Sequence, residues 1–250
     1  MRKIFIPIIS LIVLIAIWET STRLFQIESW ILPAPSVIVL EAIMNWDNYQ
    51  EHIGSTILLT ILGLVIGVSI GIIIAVILHL VPLVKQMVYP LLLLSQNIPI
   101  IVLAPLLVIW FGYGTLPKII IITLVCFFPI TIAALDGFRQ TNRELVHYMK
   151  MAGATKQQMF LKLELPHALP AIFSGLKIAA TYSVMGAVIS EWLGASKGIG
   201  VYMTLASSSF RTDRVFVAII LIIILCFTFF GLILLAERLV LRWQYVKGEK

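Results

Sequence analysis

Charge is what this sequence has least of. Only 12% of its 250 residues are Asp, Glu, Lys or Arg, where soluble domains carry roughly 25%. A chain so poor in charge, 60% hydrophobic and with a mean hydropathy of +1.05, holds more apolar surface than a water-soluble fold of its size can hide. Its solvent is therefore lipid. Cysteine is scarce too. Cys126 and Cys226 both lie inside apolar runs, which excludes a disulfide-built secreted scaffold and suits small buried hydrophobes. Basic runs interleaved with aromatics are missing, so the net charge of +6 does not point to nucleic acid. His52, His79, His147 and His167 have no metal-ligand spacing, and no His-Glu-x-x-His or Ser/His/Asp set stands out, so neither a metal site nor a catalytic residue is assigned. There is no Gly-x4-Gly-Lys-Ser/Thr phosphate loop either, so the chain carries no ATPase motif of its own. Strand alternation and tandem repeats are likewise absent.

What remains is a set of long apolar runs. A membrane helix needs roughly 20 apolar residues at about 1.5 Å rise each. Ile53–Leu80, Val88–Trp110, Lys118–Leu135, Leu169–Leu193 and Val215–Ala236 meet that length, and Ile4–Trp18 is shorter. Arg2 and Lys3 before the first run suggest a signal peptide, but Trp18-Glu19-Thr20-Ser21-Thr22-Arg23 offers no small-x-small cleavage site. It is read as a retained helix. The expectation is an all-α, multi-pass chain of six spans forming one transmembrane domain over 1–250.

Six spans put both termini on one side, and the cations choose it. Arg2, Lys3, Lys85, Arg139, Arg143, Lys150, Lys156, Lys162, Arg238, Arg242, Lys247 and Lys250 fall on the side of the N-terminus; Arg23, Lys118, Lys197, Arg211 and Arg214 fall opposite. Twelve against five places both termini in the cytoplasm by the positive-inside rule. Trp30, Trp46, Trp110 and Trp192 then form an outer interfacial belt.

The loop 139–166 is too long for a mere connector. Thr141 with Glu144, and Thr155 with Gln158, have capping-box spacing. Gly153 suits a helix end with positive φ, and Pro166 predicts a stop at Leu165. Two short amphipathic helices on the cytoplasmic face are expected, the second with an apolar stripe of Met159, Phe160 and Leu163. A helix lying flat on anionic lipid fits that stripe. A rigid docking element for a cytoplasmic partner fits it as well, and the turn and Leu-Pro stop favour that.

Gly153-Ala154 followed by Leu165-Pro166 and Leu169-Pro170 resembles the cytoplasmic loop of binding-protein-dependent ABC import permeases. His147-Tyr148-Met149 stands where that family's pattern has Glu-Ala-Ala. Ile31-Leu-Pro33-Ala-Pro35-Ser36, Pro99 to Gly114 and Gly186 to Gly200 resemble the nitrate/sulfonate/taurine-type subfamily, the last segment looking closest to permeases of thiamine-pyrimidine or riboflavin uptake. The resemblance implies a type I importer permease fold in a bacterial inner membrane. It implies a homodimer that forms the translocation path, a cytoplasmic ATPase dimer holding ATP and magnesium, and an extracytoplasmic binding protein. Gly153, Ala154, Thr155, Gln158, Met159, Phe160, Leu163, Leu165 and Pro166 become the residues expected to couple to the ATPase.

Polar groups inside spans mark candidate pathways. Gln96 and Asn97 precede Pro99 in the third span, and Ser174, Lys177 and Thr181 share a face of the fifth. Lys177 is read as lining the path, as snorkelling to the headgroups, or as pairing with Asp136. For Thr181 and Ser174 a bond back to a carbonyl one turn earlier competes with lining. Glu191 is either a cap, a partner of Lys197 or Arg211, or a contact for the binding protein. Gly63, Gly67 and Gly71 make a flat face for close helix packing. An ion-coupled secondary transporter, the rival from another class, calls for carboxylates at mid-span, and none is placed there.

Overall fold

A computed structural model describes residues 2–242; the side chains of Arg2 and Lys3, and Lys247 and Lys250, lie outside the described residues. Helix takes up most of that length, as α1 (Arg2–Leu24), α2 (Pro35–Met44), α3 (Gln50–Leu80), α4 (Pro82–Ser95), α5 (Ile100–Phe111), α6 (Thr115–Arg139), α7 (Arg143–Met151), α8 (Lys156–Met159), α9 (Leu165–Glu191), α10 (Ile199–Ser208) and α11 (Thr212–Val240). A π-helical turn, Phe160–Glu164, joins α8 to α9.

The centre of the bundle is α6, held between α3 and α9. Small residues allow the approach. A side chain on Gly63 would strike Ile122, one on Gly67 would stand 2.7 Å from Cys126 Cβ, and one on Gly71 2.7 Å from the Phe127 carbonyl. These matched positions rise together along α3 and α6, so the two helices are parallel. Thr131 adds a hydrogen bond across the seam, Oγ1 donating to the Gly71 carbonyl at 3.1 Å. On the other side Gly175 meets Ala133 and Gly186 meets Val125, so α9 runs antiparallel to α6. α11 in turn runs antiparallel to α9, with Glu237 beside Lys177 and Cys226 beside Thr181. The core between them is built of Ile122, Cys126, Ile130, Ala180, Val184 and Ala187.

These directions settle the third span. Because α3 and α6 point the same way, the chain between them must cross back. That crossing is not the single kinked helix expected over Val88–Trp110. It is α4 and α5, two apolar helices bent by 101°. Pro99 supplies the reason: it has no N–H to continue α4, it holds Ile98 out of the α region, and the polar run Ser95-Gln96-Asn97 precedes it. The bent pair counts as one crossing, giving six. α10, too short to cross, is a half-helix beside the start of α3.

Two local expectations are corrected in the loop. α7 is capped by Asn142, whose side chain accepts the Glu144 N–H at 2.8 Å, while the Thr141 hydroxyl is buried without a partner. The second helix does not stop before Pro166. It widens into the π-helical turn, where the Leu165 N–H reaches back to the Phe160 carbonyl, and continues into α9. The wide turn loosens the hydrogen-bond ladder just where Pro166 has no N–H to give it.

Candidate functional site

One end of the bundle carries the arm formed by α7, α8 and the π-helical turn. Its corner is built as the sequence requires. Gly153 has φ +78°; its N–H donates to the Lys150 carbonyl and that of Ala154 to the Met149 carbonyl, both at 3.0 Å, a Schellman closure. Thr155 and Gln158 then form a reciprocal capping box, at 2.9 and 3.2 Å. The apolar stripe of Met159, Phe160 and Leu163 does not face outward. Met159 is buried at 9% exposure, Leu163 is half-buried, and Phe160 packs tilted against Phe138 with ring centroids 5.4 Å apart. These side chains anchor the arm. Leu161 on the π-helical turn is 50% exposed, and most of the exposed apolar side chains are on α7, with Leu145, Tyr148 and Met151 at 49%, 68% and 81% exposure. Leu165 and Pro166 are half-buried at the root, where His167 reaches the Gln140 carbonyl at 3.1 Å.

The break between α4 and α5 borders a cavity of about 370 Å³ lined by Gln96, Ser95, Ile98, Phe127, Phe128 and Tyr182, among others. Of the four residues picked for the path, Gln96 alone is in that lining. The Asn97 amide donates back to the Leu93 carbonyl at 2.8 Å, and the Thr181 hydroxyl donates to the Lys177 carbonyl at 3.3 Å. The Lys177 ammonium donates to Glu237 Oε2 at 2.9 Å, so its partner is Glu237 and not Asp136. Tyr182, an aromatic with a polar tip inside an apolar helix, is the sequence signal for the cavity wall.

The opposite end is fastened by Glu191. Its carboxylate, 1% exposed, accepts from Thr56 Oγ1 at 2.7 Å and from the Gly200 N–H at 2.8 Å. Thr56 accepts in turn from the Ile199 N–H at 2.9 Å. Two N–H groups of the first turn of α10 are thus satisfied, one directly and one through Thr56, in the place where a helix dipole favours an anion. Of the roles considered for Glu191 the cap is the one formed: Lys197 pairs with Glu51, and Arg211 with Glu41 and Asp213. The Asp213 hydrogen bonds raise the Arg211 pKa further, and burial pushes the Tyr202 hydroxyl up to about 12, so both keep their protons at any physiological pH. Glu191 and Glu237 are buried carboxylates, but they lie at opposite ends of the bundle, each with a partner.

An arm at one end, a broken crossing helix and a closely packed α3–α6–α9 centre invite comparison with membrane transporters. Residues 67–242 match the model of the family described as binding-protein-dependent transport system inner membrane component. The chain belongs to this family. Three relatives align along nearly its whole length. The formylaminopyrimidine transport permease protein ThiX of Halalkalibacterium halodurans is 35% identical over 95% of both chains. The riboflavin transport system permease protein RibX of Chloroflexus aurantiacus is 32% identical over 94% of this chain and 89% of its own. The taurine transport system permease protein TauC of Escherichia coli is 30% identical over 95% and 90%. A crystal structure of an amino acid ABC transporter with histidines shares the fold, with a TM-score of 0.61 and 17% identity over 81% of this chain and 94% of that one. The protein is thus an ABC importer permease of the nitrate/sulfonate/taurine subfamily, near ThiX and RibX, with the type I permease fold. The permease's six crossings are the fold's framework, and its arm lies between the fourth and fifth.

Proposed function

We propose that this permease forms the translocation path for a small heterocycle, a thiamine-pyrimidine precursor or a riboflavin-like molecule, driven by a separate cytoplasmic ATPase dimer and fed by an extracytoplasmic binding protein. The observation that carries this is the exposed break between α4 and α5. Broken backbone and polar side chains are tolerated at membrane depth only against protein or a water-filled cavity. Ser95, Gln96 and Asn97 are exposed in the single chain. A second copy placed over this face encloses them, and the path then runs past Gln96 and Tyr182 between two permeases.

The arm end is assigned to the cytoplasm, with both termini, because Arg139, Arg143, Lys150, Lys156 and Lys162 are gathered there. Leu145, Tyr148 and Met151 on α7 supply the apolar face that meets the ATPase. Gly153 to Gln158 set the angle of that face, and Met159, Phe160, Leu163, Leu165 and Pro166 tie it to the bundle. Identity to ThiX and RibX slightly above that to TauC supports a heterocycle over a sulfonate.

Proteoliposomes containing the permease, its ATPase and its binding protein, loaded with ATP, test the proposal. Formylaminopyrimidine, riboflavin and taurine are offered in parallel. ATP-dependent uptake of either heterocycle is expected. Uptake of taurine alone assigns the sulfonate reading, and uphill uptake by the permease without the ATPase overturns the importer mechanism in favour of ion coupling.

A further inference from the structure

Beyond the Gly153 corner the arm runs without a helix break into α9, since α8, the π-helical turn and α9 form a continuous apolar helix, Lys156–Glu191. A displacement of the arm therefore reaches α9 directly. The path break, however, lies between α4 and α5, and neither is continuous with the arm. Something else must carry the displacement across.

One side chain spans the gap. His79, in the last turn of α3, donates from Nε2 to Glu164 Oε2 at 2.7 Å, and both side chains are 19% exposed. Its ring also lies against Phe138 of α6, centroids 4.8 Å apart, and against Phe160 at 6.0 Å. His79 thus touches both ends of the π-helical turn, an irregularity of a kind that often falls at functional sites. Two residues further on, α3 ends at Val81, which is extended at φ −120° and ψ 90°, and Pro82 opens α4. Leu78, Leu92 and Phe138 share one buried cluster against which Phe160, Val88 and Tyr89 pack. The same apolar joint therefore holds the arm, the end of α3 and the helix that leads to the break.

We propose that His79 and Glu164 are a positioning pair that transmits arm movement to α3 and α4, and that the apolar contacts alone do not. Packed apolar surfaces slide by small shears; a directional hydrogen bond between partly buried groups fixes register. The inference rests on the ATPase-driven reading above.

The test uses the full permease assembled with its ATPase, in a Cys226→Ser background. A single nitroxide is placed on α4 at Leu91→Cys or on α9 at Ile178→Cys, both exposed positions. Spectra are taken before and after trapping with ATP, magnesium and vanadate. With the pair intact, both labels shift on trapping. Glu164→Ala is expected to keep the α9 shift and lose the α4 shift, and Glu164→Gln, which retains an acceptor for the His79 ring, to restore it. An unchanged α4 shift in Glu164→Ala overturns the proposal, and so does equal loss at both labels, the mark of a merely structural role. If neither label moves with the pair intact while the complex hydrolyses ATP, the joint transmits nothing and the proposal fails. If no complex with the ATPase forms at all, the fault lies in the ATPase-driven reading itself, and the inference falls with it.

Discussion

The Lys177 ammonium lies 2.9 Å from the Glu237 carboxylate, with the two side chains 20% and 10% exposed, which joins α9 to α11 in mostly buried surroundings toward the arm end of the bundle. An ion taken into such surroundings is tolerable only with its counter-ion, and removing one member leaves the other buried and uncompensated. Lys177→Met is therefore expected to lower stability by about 3 kcal/mol. Glu237→Leu should do the same, while the double variant loses much less than the sum. Thermal unfolding of the purified permease across this double-mutant cycle checks it; additive losses would show that the pair is not coupled.

Gly153 is required by its backbone conformation alone. At φ +78° a Cβ would meet nothing within 4 Å, so a substitution costs only what a left-handed conformation costs an L-residue, about 1–2 kcal/mol, more for a β-branched side chain. Gly153→Val is expected to reorient α7 and uncouple ATP hydrolysis from substrate while membrane insertion stays intact. Gly153→Asn, better suited to this region, should retain most of the coupling. The ratio of substrate-stimulated to basal ATP hydrolysis in the assembled complex separates the two, and equal ratios would remove the corner from the coupling path.

What a local rule decides is legible in the sequence, and what a distant neighbour decides is not. The Gly153 corner, the Thr155–Gln158 box and the apolar spans each depend on residues within one or two turns, and they were legible. The Gly63–Gly67–Gly71 face was legible as a packing surface because spacing alone reveals it. Which way Met159 and Phe160 point was not: an amphipathic stripe looks the same whether it faces a partner or Phe138 of its own bundle. The partners of Lys177 and Glu164 were hidden for the same reason, since Glu237 and His79 are 60 and 85 residues away. The continuation through Pro166 was missed because a proline rule assumes ordinary α geometry, and a π-helical turn lies outside it.

Glu191 makes a further prediction at the opposite end. Replacing it with Ala strands the buried Gly200 N–H and leaves the Thr56 hydroxyl only the His52 carbonyl to donate to, an expected loss of about 1–3 kcal/mol. Glu191→Gln, which still accepts, should lose less. Gly198→Ala should mimic Glu191→Ala, because at φ +139° its Cβ would run into the Glu191 carboxyl group. Labelling of Ala206→Cys, a buried position of α10, by a water-soluble maleimide in a Cys226→Ser background reads out release of the helix. It should be fast in Glu191→Ala and Gly198→Ala and slow in Glu191→Gln. Uniformly slow labelling would mean that α10 is held by its apolar contacts.

The two faces of the arm can be separated by charge. Tyr148 is 68% exposed on α7, whereas Met159 is 9% exposed against the bundle. An aspartate at the first position stays in water and costs the isolated permease almost nothing; at the second it must be buried without a partner. Tyr148→Asp is therefore expected to leave the permease folded at wild-type yield and to weaken its hold on the ATPase by about tenfold or more, since loss of a buried aromatic anchor commonly costs 2 kcal/mol or more at an interface. Met159→Asp should lower the yield of folded permease before any partner is added. Size-exclusion chromatography of the permease alone, followed by co-purification with the ATPase, distinguishes the outcomes. If Met159→Asp folds normally and is the variant that loses the ATPase, the docking face is the α8 stripe after all, and α7 is only a spacer.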